Sequence, residues 1–422
     1  MNQSKATLPT SRRLARDKNF ILFWLARTIS LFGTSITAVV LPILVFKVTG
    51  SALDTSLIAA LDGLPYIIFG IVAGAVADRH NRRRLMVVSD VVNAGLMASI
   101  PAVYYLHHLP LSYIYIVAGG SATAFVWFDA ANFGAVRALA GADRVVVATT
   151  TLMATETVVA IGGLAIGGLL AATIGPVRAI IFDASSYLLS AILIAIIRAP
   201  FKESSLQSSM PGAPWKQLFS DVSAGLRYIW NSRIIRLLTA ATIGVTVAGG
   251  AVGGLTVVYA VDALGLSKTD PRIGLLYACG AIGSFLSSIA IPRLQKHFNA
   301  GRITVIGLFL NCILLIALAR APSFAVAIVI YMFWEASYTV VTLNGITIRT
   351  RITPDLLQGR VNAAARTVAW GGAPIGAAIG GVLTLRLEIR SVILVMCLAI
   401  FASLVLCVAL KVWSLKVTIT EA

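Results

Sequence analysis

A few ionisable side chains stand inside long apolar runs of this sequence, and they are the residues placed to do chemistry. Glu335 lies in YMFWEASY, among Tyr331, Phe333, Trp334 and Tyr338. Glu156 lies in MATETVVA, with Thr149, Thr150, Thr151, Thr155 and Thr157 close in sequence. Asp62 comes just before Gly63 and Pro65, and Arg27, Asp129 and Asp183 complete the set. A charge at the centre of a bilayer costs about 3 kcal/mol on insertion scales, so such groups are paired or functional. The chemistry open to them is reversible protonation and ion pairing, not bond-making.

Each group has two readings. Glu335 is either a proton carrier beside an aromatic wall or the structural partner of a buried cation. Tyr331, Trp334 and Tyr338 would then line a cavity for an apolar or cationic solute. Glu156 either takes part in transport or is satisfied by its threonines. Asp62 is a cavity carboxylate or half of a structural pair, next to the helix kink expected at Pro65. Arg27 pairs with a cavity carboxylate or reaches back to the interface. Glu335, Glu156, Asp62 and Arg27 are therefore the proton-coupling candidates. Asp129, with Arg137 following, reads first as a structural ion pair and second as a cavity residue. Asp183 has no evident partner.

The elements that must position these groups follow from composition. Of 422 residues, 58% are hydrophobic and 12% charged. A soluble domain carries about 25% charged residues. Runs of about 20 apolar residues give twelve spans, at 20–46, 53–77, 85–106, 111–133, 147–172, 175–197, 236–260, 272–292, 302–320, 323–346, 361–385 and 390–413. With the N-terminus cytoplasmic, the inside segments hold 25 Lys and Arg and the outside segments 7, while Arg27 and Arg366 lie within spans. That bias puts both termini in the cytoplasm. It also accounts for the +17 net charge without a nucleic-acid partner. The basic N-terminal stretch runs straight into a full-length span, which reads as an uncleaved first helix.

Residues 198–235 divide six spans from six, giving bundles at 1–197 and 236–422. Within this linker, 203–214 is rich in Ser, Pro and Gly. From Trp215 to Trp230 the apolar residues recur at three and four residues. That spacing predicts a helix on the inner membrane face or a cytoplasmic continuation of the next span. Small-residue seams stand at corresponding places in the two halves. The fifth span has IGGLAIGGLL, with Gly162, Gly163, Gly167 and Gly168; the eleventh has GGAPIGAAIGGVL, with Pro374, Gly376 and Gly380. Such steps of four let helix backbones approach closely.

Other chemistries find no support in these residues. There is no G-x-x-x-x-G-K-[ST], no H-E-x-x-H and no G-x-S-x-G, and the four histidines are His80, His107, His108 and His297. A membrane-embedded enzyme is thus a distant alternative, and no segment resembles a channel filter. Neither metal nor cofactor is expected. Cys279, Cys312, Cys397 and Cys407 all fall in spans and read as packing residues.

Between the second and third spans stands GAVADRHNRRRL, which orders Gly74, Asp78 and Arg79 before Arg82, Arg83 and Arg84. This pattern resembles the signature of the major facilitator superfamily at the same place. More narrowly, residues 19–36, 64–85, the fifth span and 352–381 resemble the bacterial drug, macrolide and siderophore exporters of that superfamily. The resemblance implies an all-α membrane protein of twelve helices in two pseudo-symmetric six-helix bundles. It implies that Asp78 latches onto the start of helix eleven in the outward-facing state, with Arg360 or Arg366 nearby. Two positions depart from the pattern: Thr34 stands where many relatives have an acid, and Gly162-Gly163 replaces Gly-Pro. The second-half counterpart, residues 291–303, has no acid.

The function expected is export of amphipathic small molecules, drug-like or siderophore-like, by alternating access and driven by proton antiport. The partners would be the solute, protons and the lipid of a bacterial inner membrane, with the chain acting as a monomer. Uptake or lipid flipping on the same fold is the alternative.

Overall fold

The computed structural model describes residues 14, 16–106, 109–199, 201, 227–353, 361 and 371–414. Every long element among them is a helix. They are α1 Lys18–Thr49, α2 Ala52–Arg79, α3 Arg82–Leu106, α4 Leu111–Ala140, α5 Val145–Thr173 and α6 Pro176–Ile196, then α7 Arg233–Val258, α8 Arg272–His297, α9 Ala300–Ala319, α10 Phe324–Ile352 and α12 Ile389–Ala409. Between the last two lies α11, Gly371–Leu383. Eleven of these are long and apolar enough to cross a membrane; α11 is the shorter described part of the span expected at 361–385. Helices suit this sequence because they satisfy every backbone polar group within the segment, which lipid requires.

The ends are marked locally. Asp17 caps α1 by accepting from the amides of Asn19 and Phe20, and Gly50 ends it at φ 66°. Ser51 then caps α2 through the Asp54 amide. Pro176 occupies the first turn of α6, where its missing N–H costs nothing. The last turn of α7 widens into a π-helix at Tyr259–Ala263. Large apolar side chains such as Phe133, Ile116 and Val158 face outward, as lipid-facing positions should. Of the amphipathic stretch 215–230, residues 227–230 are helical and the rest lie outside the described residues.

The packing repeats with an offset of six helices. In the first half α1 packs on α6, α3 on α6 and α4, and α2 on α4. In the second, α7 packs on α12, α9 on α12 and α10, and α8 on α10. The glycine seams follow the same rule. A Cβ at Gly163 would lie 2.5 Å from Ser35 Cβ, and one at Gly167 2.9 Å from the Ile36 carbonyl, both on α1. A Cβ at Gly376 would lie 1.8 Å from the Val247 carbonyl, and one at Gly380 2.8 Å from Ala251, both on α7. The seams expected from sequence are thus real close approaches. Gly162 differs, with nothing within 4 Å of its Cβ position.

Candidate functional site

The two halves meet toward one end of the bundle, and a cavity opens between them beyond that contact. The meeting is unusually close. A Cβ on Gly168 of α5 would lie 2.6 Å from the Cα of Gly274 on α8, so here backbone touches backbone. The symmetry-related contact joins α2 to α11: Ser56 Oγ donates to the Ala377 carbonyl at 2.6 Å. About two turns along α2, a Cβ on Gly63 would lie 2.5 Å from the Pro374 ring. Glycine at 63 and proline at 374 therefore fit as a pair. Lys268 adds a hydrogen bond to the Phe46 carbonyl at 3.5 Å.

Beyond Gly63 and Pro374 the helices diverge around a cavity of about 530 Å³. That is a suitable size for a drug-sized molecule. Asp62 and Tyr66 of α2 form one wall, and Tyr338, Thr339, Thr342 and Arg349 of α10 another. Thr239, Thr242 and Thr246 of α7 lie between them. Thr242 and Thr246 donate their hydroxyls back to α7 carbonyls. The wall is thus largely apolar, with a carboxylate and a guanidinium set into it. Asp62 makes no hydrogen bond or ion pair among the described residues. Tyr66 donates to Asp129 Oδ2 at 3.2 Å, so Asp129 sits behind the wall and reaches the cavity through that phenol.

The structure sorts the residues around Glu335. Tyr338 reaches the cavity, whereas Tyr331 and Trp334 are 3% and 1% exposed and off its wall. The expectation that they line the cavity is corrected by α8. A Cβ on Gly280 would lie 2.6 Å from Tyr331, and one on Gly283 2.0 Å from the Met332 carbonyl, so α8 presses flat against this stretch of α10 and seals it. Glu335 also lies behind the wall, but it is connected to it. Thr339, on the wall, donates to Ser284 Oγ at 2.9 Å, and Ser284 donates to Glu335 Oε2 at 3.5 Å.

Arg27 and Glu156 form an ion pair, with Nη2 to Oε1 at 3.1 Å. The Arg27 side chain is buried and stacks over Phe128 at 5.0 Å, so it does not reach back to the interface. The Glu156 side chain is 37% exposed. The threonines around it do not serve it: Thr150, Thr151, Thr155 and Thr157 donate to backbone carbonyls one turn back.

In the α2–α3 motif, Arg82 donates to the carbonyls of Gly134 and Phe201, and Arg83 to that of Ile197. Arg82 thus ties α3 to α4 and to the chain just past α6, and Arg83 ties it to the end of α6. Arg79 and Arg84 are exposed. Gly74 has nothing within 4 Å of its Cβ position, so the close helix contact expected there is not made among the described residues. The Asp78 side chain, Arg360 and Arg366 lie outside the described residues.

Sequence reading passed over Arg349 on the cavity wall, and Asp90 and Asn93 in α3, which are 1% and 0% exposed. Asp90 carried the same signal as the others, an acid within an apolar run. It stands five residues into the expected third span, 85–106.

Comparison with known proteins settles the family. The profile of the transmembrane secretion effectors matches residues 13–421. The chain belongs to the major facilitator superfamily. A multidrug efflux pump, Tap, of Mycolicibacterium fortuitum is 23% identical over 363 residues, 83% of this chain and 85% of that one. The Tap pump of Mycobacterium tuberculosis is 28% identical over 243 residues, so the match spans 56% of each chain. Macrolide efflux protein A of Streptococcus pyogenes is 30% identical over 98 residues, 23% of this chain and 24% of its own. Among solved structures, the nucleoside transporter NupG superposes with a TM-score of 0.75 at 13% identity, covering 94% of this chain and 100% of that one. A bacterial homologue of the lysosomal transporter Spinster, in an inward-facing state, gives 0.72 at 13% identity, over 97% and 98%. These structures share the fold. This superfamily member is a multi-pass membrane transporter with efflux pumps among its relatives.

Proposed function

We propose that the chain exports amphipathic small molecules from a bacterial cell by alternating access, in exchange for protons. The cavity carries this reading. It lies between the halves, is closed at one end by the α5–α8 and α2–α11 contacts, and sets Asp62 and Arg349 into an apolar wall. The excess of Lys and Arg in alternate loops supports a cytoplasmic position for the cavity's open end and for both termini. A solute would enter from the cytoplasm, and rocking of bundle 1–197 against bundle 236–422 about the 198–235 linker would release it outside. The naming of relatives as multidrug and macrolide efflux pumps supports the direction. Drug-sized amphipaths fit the cavity by size and lining.

Proton coupling is assigned to Glu335, which reaches the cavity through Ser284 and Thr339. Protonation from outside and release inside would bias the two states in turn. Glu335→Gln should abolish efflux driven by a pH gradient in everted vesicles while leaving expression and solute binding intact. Proton-driven efflux at the wild-type rate in that variant would remove Glu335 from the mechanism. Solute accumulation into cells rather than out of them would reverse the direction.

A further inference from the structure

We infer that the first six helices hold a proton-binding site of their own, centred on Asp183 and Asp90 in the seam between α1, α3 and α6 and separate from the solute cavity. Both aspartates are 1% exposed. Asp90 Oδ2 accepts from Ser190 Oγ at 2.6 Å. Asp183 Oδ1 accepts from Ser186 Oγ at 3.3 Å, and Asp183 Oδ2 has no partner. Because α3 and α6 run antiparallel, one turn onward from Asp90 meets one turn back from Ser190. Asn93 thereby comes level with Ser186 and Tyr187, between the two acids. Asn93 is fully buried, and neither its amide nitrogen nor its oxygen has a partner.

Helix α1 closes the third side. Thr37 faces Asp183, and its hydroxyl acts on that carboxyl. Thr34 meets Tyr187 OH at 2.9 Å. Arg27 places its charge on Asp90; its Nε and Nη1 are buried without partners while Nη2 holds Glu156 of α5. The charged and titratable groups acting on the seam are therefore Arg27, Glu156 through it, Asp90, Asp183 and Tyr187, with Asp62 acting on Tyr187 from α2.

No cation touches Asp183 among the described residues. A dry carboxyl with no counter-ion is stable there only with its proton on. Helix α1 lies close against this side: a Cβ on Gly33 would lie 2.7 Å from Asp183 Oδ1 and 2.0 Å from Ser186 Oγ. Orphaned polar atoms gathered at one depth are the groups that can re-aim when a proton leaves. Arg27 is the cation placed to answer the loss. Turning from Glu156 toward Asp90 would neutralise the new charge and release the ion-pair link between α1 and α5. Proton occupancy of this seam is thereby tied to how the first half packs.

The test uses the full-length protein in detergent and needs no solute, so it stands apart from the export reading. Infrared spectra at neutral pH should show the C=O stretch of a neutral carboxyl in wild type and in Glu335→Gln. The band should weaken in Asp183→Asn and weaken further when Asp90→Asn is added. Titration in weakly buffered detergent should take up about one proton fewer per chain for each aspartate removed. Asp183→Glu, which keeps the carboxyl, should shift the band without abolishing it and provides the readout if the asparagine variant fails to fold. Unchanged spectra and proton counts in the asparagine variants would overturn the site. A band that disappears on adding sodium would overturn the proton as its ligand.

Discussion

Asp62 supplies the cavity wall with a carboxylate that nothing among the described residues neutralises, and a bound cation would do so. Such a pair in a partly dry site contributes about 1.4 kcal/mol, or tenfold in affinity. Asp62→Asn should therefore weaken binding of a cationic amphipath about tenfold and leave its neutral isostere unaffected, as measured by fluorescence titration of the matched pair. Equal loss for both would make Asp62 a matter of shape. Ser284 is a second residue with a narrow role. Ser284→Ala removes the hydroxyl between Thr339 and Glu335, so it should slow proton-driven efflux while equilibrium solute binding stays at the wild-type level. Efflux unaffected by that change would mean that protons reach Glu335 by another route.

Among the helices, the contact that closes one end is made of backbone. Gly168 and Gly274 leave no space for a side chain, and overpacking a close contact costs about 1–3 kcal/mol. Gly168→Leu should push α5 and α8 apart and favour the state open at that end. Labelling of a cysteine introduced nearby, by a reagent added from outside, should then speed up. The number and order of helices were legible in the sequence because each span had to be a long apolar run. The glycine seams were legible because steps of four have one meaning in a helix. The cavity wall was not. A stripe such as Tyr331, Trp334, Glu335 and Tyr338 is continuous on its own helix, and only the approach of α8 through Gly280 and Gly283 decides which part stays open. The Arg27–Glu156 pair likewise joins two helices whose register no local pattern reveals. The burial of Asp90 comes from α6, which the sequence of α3 does not show.

At the scale of the whole molecule, the repeat with an offset of six means that each contact between halves has a counterpart, α5 with α8 and α2 with α11. Both close the same end, so one end of the molecule is sealed by two symmetry-related contacts. For the opposite end, the family resemblance gives Asp78 of the α2–α3 motif the part of a latch. Asp78→Asn should shift the population toward the state open at the arginine-rich end, read as faster labelling of a cavity cysteine from that side; an unchanged rate would count against the latch. The bare carboxylate in the cavity has one further consequence. Under the proposed alternating access, an ionised Asp62 would be reached from one face and then the other, and its negative charge would pass through the transmembrane electric field. A full unit charge crossing 100 mV involves about 2.3 kcal/mol, and a group near mid-depth feels a fraction of that. The empty carrier should therefore sense voltage, and a cation on Asp62 should abolish that sensitivity, so that the loaded and unloaded half-cycles respond differently when the membrane is depolarised.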